Sequence, residues 1–132
     1  GVAITVVGNS NGNASVNDVI RPVSGTNYNS VTGILSVTSE IPHNLAENDT
    51  ISINNESLVF TCSQDNFFKE KRYPRPTDPA SKSNSELNNG VLSVASTSAN
   101  SFAVQVGVTT TGGLVGPLQM EFVCSILENS ST

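Results

Sequence analysis

The stretch KEKRYPRPTDPA, residues 69–80, gathers four of the chain's six basic residues and three of its six prolines. Lys69, Lys71, Arg72 and Arg75 surround Tyr73. A basic segment around an aromatic ring is the chemistry that grips phosphate and stacks single-stranded bases. Two facts argue against that use. Glu70 and Asp78 are interleaved with the cations, and the chain as a whole carries −5, whereas a nucleic-acid binder is expected to be basic. No nucleic-acid partner is expected. In the structural alternative, Pro74, Pro76 and Pro79 hold the segment extended, and the charges face water or pair locally. A turn starting near Arg75 would bring its guanidinium to the Asp78 carboxylate, with several donors available to one planar group. Tyr73 would then cover apolar surface and Pro79 would end the loop. We adopt the structural reading, in which prolines leave little entropy to lose on ordering.

Other reactive residue types are sparse. His43, the only histidine, lies in PHNL just before a strand-like run and reads as a turn residue. Serines are many, but none sits in a G-x-S-x-G turn with a base to serve it. The glycine-rich run at 112–117 lacks the Gly-Lys-Ser/Thr ending of a phosphate loop and reads as a hairpin turn. No calcium loop of the D-x-D-x-D-G type occurs. Neither a catalytic constellation, a metal site nor a cofactor is expected. Cys62 and Cys124 each end a strand-like run, FTC and EFVC. They read either as a disulfide closing a long loop or as two buried thiols acting as small hydrophobes. Four N-x-S/T sequons, at Asn13, Asn48, Asn55 and Asn129, match what an Asn-, Ser- and Thr-rich composition produces by chance.

The elements that must carry these residues are strands. Charged residues make up 13% of the 132 and Trp is absent. Short Val/Ile/Leu runs alternate with Asn-, Ser- and Gly-rich turns, the mixture of an all-β domain. No apolar run approaches the roughly 20 residues of a membrane helix, so no membrane span is expected. Residues 2–7 form an apolar strand with no charged leader region before it, in a mature or trimmed chain or a piece of a longer one. A short strand is expected within 16–23, where Pro22 ends it or places it at an edge. Residues 33–39 alternate as a strand. Ile51 and Ile53 belong to another, and Asn54-Asn55 is expected to turn a tight hairpin into 58–62. Residues 63–89 show no strand pattern and read as one long Pro-rich loop, far longer than ordinary connections. It is expected to pack along the domain with Phe67 or Phe68 buried as its anchor. Residues 90–95, 101–108 and 114–126 supply three more strands. The sum is one β-sandwich domain over 1–132, Ig-like or jelly-roll-like, of about eight short strands.

LVFTCSQDNFFKEKRYPRPTDPA, residues 58–80, resembles a repeat-like β domain common in virion structural proteins of marine bacteriophages, cyanophages especially. In that family a strand ending in T-F-T-C is followed by a polar loop and then Y-P-R-x-x-D-P. The matching positions are Phe60, Thr61, Cys62, Tyr73, Pro74, Arg75, Asp78 and Pro79. Upstream, VTGILSVTSEIPHNLAENDTISI is similar to the family's T-G-x-L-x-x-T and H-x-L/F-x-x-x-D-x-I patterns, and SFAVQVG to its closing strand. The resemblance spans roughly 27–108 and leaves 1–26 and 109–132 outside. Lys71 stands where family members often carry a histidine, which removes any role of that histidine here. The resemblance implies a virion building block without enzymatic activity: a capsid decoration protein, or a fibre or tail component. Its partners would be copies of itself and other virion proteins. Strands in the two flanks are expected to serve assembly, with Val2, Ile4 and Val6 adding to a neighbour's sheet edge. The rival expectation is a host-surface glycan-binding module with Asn, Ser and Thr lining a shallow site, weakened by the lack of Trp for sugar stacking.

Overall fold

A computed structural model describes residues 3–29, 31–63, 66–76, 78–107 and 123–126. The chain is all-β. Ten strands are present among the described residues, rather than eight: β1 (Ile4–Gly8), β2 (Val19–Ile20), β3 (Asn27–Asn29), β4 (Ile34–Thr38), β5 (Thr50–Ile53), β6 (Leu58–Cys62), β7 (Lys71–Tyr73), β8 (Leu92–Ser98), β9 (Ser101–Gln105) and β10 (Val123–Ile126). They hydrogen-bond in one continuous order, β2-β1-β5-β8-β9-β4-β3-β10-β6-β7, with every pairing antiparallel.

This sheet cannot be flat. β5 and β6 are six places apart in the order, which in a flat sheet is roughly 29 Å at a strand spacing of about 4.8 Å. The four linking residues, 54–57, reach at most about 18 Å fully extended. The sheet therefore curls until its two halves meet. β8 makes the turn. Leu92 and Ser93 pair with β5, the register slips between Val94 and Ser96, and the rest of the strand pairs with β9. A bulge of this kind bends a strand and strengthens its twist. Past β2, Pro22 bridges to Ser39 at the end of β4, which ties the first edge back onto the other half.

Alternation explains most of the core. Ile4 and Val6, Leu35 and Val37, and Phe102 and Val104 are buried at period two. They join Ile51, Ile53, Leu58, Phe60, Leu92 and Val94 in one cluster drawn from both halves. Each such side chain contributes about 1.5–3 kcal/mol when taken out of water.

Several expectations need correction. β5 and β6 do not form a hairpin: each pairs with other strands, and residues 54–57 cross from one half to the other. The loop at 63–89 is not strandless, since β7 pairs with β6 through Leu58–Tyr73 and Phe60–Lys71. Phe67 and Phe68 do not anchor it; they are 48% and 89% exposed. Ile4 and Val6 are core rather than donor-strand residues, because β1 is flanked by β2 and β5 of its own chain. Val2, the glycine-rich turn at 112–117, most of the strand expected at 114–126 and Asn129 lie outside the described residues.

Candidate functional site

The motif residues converge below the β6–β10 ladder. Cys62 and Cys124 face each other across that ladder and are joined in a disulfide with no exposed surface. Phe60 lies two residues earlier on β6. Its ring meets Tyr73 edge-on at 6.2 Å, and Tyr73 stacks on Tyr28 at 6.5 Å. Tyr28 closes the cluster by donating its hydroxyl hydrogen to the Gly107 carbonyl at 3.2 Å. Thr61 lies on the opposite side of β6, half-buried beside Ser125. A tyrosine suits position 28 because its ring is buried while its hydroxyl keeps a polar contact.

β7 ends at Tyr73, which a cis peptide bond joins to Pro74. The next turn is built on Asp78, which has no exposed surface. Its Oδ2 accepts the Arg75 backbone N–H at 2.8 Å and lies 3.5 Å from Arg75 Nε. The Asp78 N–H returns to the Arg75 carbonyl at 2.9 Å. Arg75 and Asp78 thus close the loop as the spacing implies, but backbone donors do most of the closing. The Arg75 side chain as a whole is 37% exposed. Asp78 Oδ1 and Arg75 Nε and Nη2 are buried without a hydrogen bond among the described residues. Burial pushes the Asp78 carboxyl up from its ordinary value, opposed by the Arg75 N–H and then by the guanidinium charge. Burial, and then the neighbouring Asp78 charge and Tyr28, push the Tyr73 hydroxyl well above its own.

Pro79 does not end the loop. It packs against Gly107, where an added Cβ would stand 3.0 Å from the proline ring, and the chain runs on to a 3₁₀ turn at Asn88–Gly90. That run is stitched to the β5–β6 crossover. The Glu56 N–H reaches the Pro74 carbonyl at 2.7 Å, the Ser81 hydroxyl reaches Asn55 Oδ1 at 2.8 Å, and Asn55 Nδ2 reaches Ser83 Oγ at 3.1 Å. Lys82 Nζ reaches Asn54 Oδ1 at 2.6 Å. Asn55 of the third sequon is therefore a structural side chain. Gly90, at φ +78°, fits where a Cβ would meet the Lys82 nitrogen at 2.9 Å.

A second clasp escaped sequence reading. Asp49, just before β5 and only 1% exposed, accepts the Asn11 and Ala46 N–H groups, each at 2.9 Å. Gly12 passes so close that an added Cβ would overlap Asp49 Oδ2 and come within 2.7 Å of the Ala46 nitrogen. His43 is a core residue rather than an open turn residue. Its Nδ1 accepts the Leu45 N–H at 2.9 Å, Nε2 lies 2.8 Å from the Ser101 carbonyl, and the ring meets Phe102 edge-on at 5.1 Å. That pairing assigns the hydrogen to Nε2. The abundant asparagine also finds a use: six of the eight non-glycine residues with positive φ among the described residues are Asn, the type that best tolerates that backbone.

The open surface lies elsewhere. A groove of about 460 Å³ runs between β2 and residues 39–44, with Val19, Ile41 and Pro42 as its apolar part and Asp18, Arg21 and Glu40 as its charged part. Among the described residues no three His, Cys, Asp or Glu side chains are placed to hold a metal ion, and no helix is long and apolar enough to cross a membrane. Comparison with protein-family models, with curated proteins and with solved structures finds no match.

Proposed function

We propose that this chain is a bacteriophage virion structural protein, a capsid-decoration, fibre or tail component that works by self-association and docking on other virion proteins. The observation that carries this reading is the fate of the motif. Phe60, Cys62, Tyr73 and Asp78 are all sealed inside the domain, so their chemistry is spent on holding a long loop in one shape. Such a loop is a rigid surface element, which is what an assembly unit presents. The two outer strands support the same reading. β2 is two residues long and is followed by Pro22, while β7 is three residues long, carries Lys71 and Arg72, and is followed by Pro74. Short, charged, proline-ended edges resist indiscriminate strand addition, which leaves association to side-chain surfaces.

The test is the assembly state of the purified chain. Sedimentation velocity across a concentration series should show species above the monomer, and electron microscopy should show rings, patches or filaments. A chain that stays monomeric throughout and binds glycans on an array, with loss of binding on changing Asp18 or Glu40 in the groove, would replace this reading with a host-surface glycan-binding module.

A further inference from the structure

We propose that the Phe67–Phe68 tip of one copy seats in the groove beside β2 of the next, so that copies join head to tail. This rests on the self-association reading and names its contact surfaces. Four observations lead to it.

The tip is presented, not merely left over. Phe67 and Phe68 are 48% and 89% exposed, whereas most large apolar side chains among the described residues are buried. Asn66 and Phe67 both have φ of 60°, a left-handed backbone that a bulky aromatic residue rarely adopts. The strain is maintained by the Phe67 N–H on the Cys62 carbonyl at 2.9 Å and the Asn66 N–H on the Ser63 carbonyl at 3.1 Å. Both anchors sit at the end of the disulfide-linked strand β6. A rigid tip has little entropy to lose on docking.

The groove has a matching size and lining. Its volume, about 460 Å³, lies within the range of about 300–1,000 Å³ that receives compact apolar groups. Ile41 on its rim is 72% exposed and Val19 44%.

The charges are complementary. In the sequence beside the tip, residues 65–72, Lys69, Lys71 and Arg72 outnumber the two acidic residues, in a chain whose net charge is −5. At the groove, Asp18 and Glu40 outnumber Arg21. Cations that follow an aromatic pair along the chain thus meet a net acidic groove with an apolar part.

The two surfaces also lie at opposite ends. β4, β3, β10 and β6 pair antiparallel in turn, so β6 runs against β4. The tip follows the end of β6 and the groove follows the end of β4. A contact between different surfaces at opposite ends does not use itself up, so it grows rings or filaments rather than closed dimers. Each junction is small and belongs with the weak class of interface; many copies on a lattice would strengthen it through effective concentration.

The experiment uses two variants of the full chain. Phe67→Ser/Phe68→Ser removes the tip, and Ile41→Arg blocks the groove; all three residues are exposed, and circular dichroism verifies the fold of each. Wild type should form a ladder of oligomers that shortens as salt rises. Each variant alone should associate about tenfold or more weakly. Mixed in equal amounts, the two variants should form dimers and nothing longer, because each supplies the surface the other lacks. Oligomers that survive both substitutions would overturn this docking mode while leaving self-association intact. Loss in the tip variant with full dimers in Ile41→Arg alone would also overturn it, in favour of tip-to-tip pairing. A wild-type chain that is monomeric throughout would remove the self-association reading itself and this inference with it.

Discussion

At the scale of single residues, Asp78 and Tyr73 turn the loop clasp into something pH can probe. Burial raises the Asp78 carboxyl above its ordinary 3.8, so the folded chain holds that proton more tightly than the unfolded one. The resulting stabilisation is fully present below the unfolded pKa and is lost as pH rises through the folded one. Asp78→Asn keeps the shape and cannot titrate. The melting-temperature advantage of wild type over this variant should be largest at the acid end and shrink toward neutrality. An advantage that instead grows toward neutral pH would mean that Arg75 outweighs burial. Arg75→Lys keeps the backbone N–H and a positive charge but loses the contact of the buried Nε with the buried Asp78 carboxylate, so it should cost about 1 kcal/mol. Asp78→Ala strands that N–H and should cost about 1–3 kcal/mol. Tyr73 tests the alkaline side. Its hydroxyl is held well above the ordinary 10.0, so its contribution persists to that pH and is lost as pH rises through the folded value. Tyr73→Phe keeps the ring contacts and should melt less steeply than wild type with rising pH above about 10; equal slopes would exclude Tyr73 as the alkaline trigger.

Elements show how far the sequence could be read. β4 and β9 were legible because each has five residues and a clean alternation of buried and half-buried positions. β3 and β7 were not, because each has three residues with a single inward side chain, Tyr28 or Tyr73, among polar neighbours. One buried residue has no period. The false hairpin at 54–57 has a related cause: Asn54-Asn55 has good turn chemistry, but turn chemistry does not say which strand the chain joins next. Phe67 and Phe68 misled by type: the left-handed turn at Asn66 and Phe67 leaves both rings exposed, whatever their hydrophobicity. Strand β1 was read correctly as apolar and wrongly as an assembly arm. Ile4 pairs with Ile20 on one side and Ile53 on the other, so the strand bridges an edge to the rest of the sheet. Deleting residues 1–7 should abolish cooperative unfolding, and Ile4→Ala alone should cost about 2–5 kcal/mol. A folded, cooperatively melting truncation would restore the assembly-arm role.

For the whole molecule, the ladder that completes the curled sheet comes from residues far apart in sequence. β10 inserts between β3 and β6, so residues 123–126 join strands formed from residues 27–29 and 58–62. Such non-local pairing must close long loops before any contact rewards it. Composition and local pattern could show that the two cysteines belong to strands, though only Cys62 ends one, but not that those strands are neighbours. The Cys62–Cys124 disulfide spans 62 residues, and closing a loop of that length removes about 4 kcal/mol of unfolded-chain entropy in the loop-closure model. A domain of this size is stable by about 5–15 kcal/mol in total, so the bridge is a large fraction of the whole. The β10 ladder and the Tyr28–Tyr73–Phe60 cluster beneath it remain when the bridge is removed. Cys62→Ala/Cys124→Ala should therefore fold to the same strand content by circular dichroism, with stability in urea lower by about 2–5 kcal/mol. The loss should come as a lower midpoint with an equal or steeper slope, because the unfolded chain without its cross-link exposes at least as much surface. A midpoint that does not move would show that the ladder alone holds β10 and that the bridge adds nothing to the closed sheet.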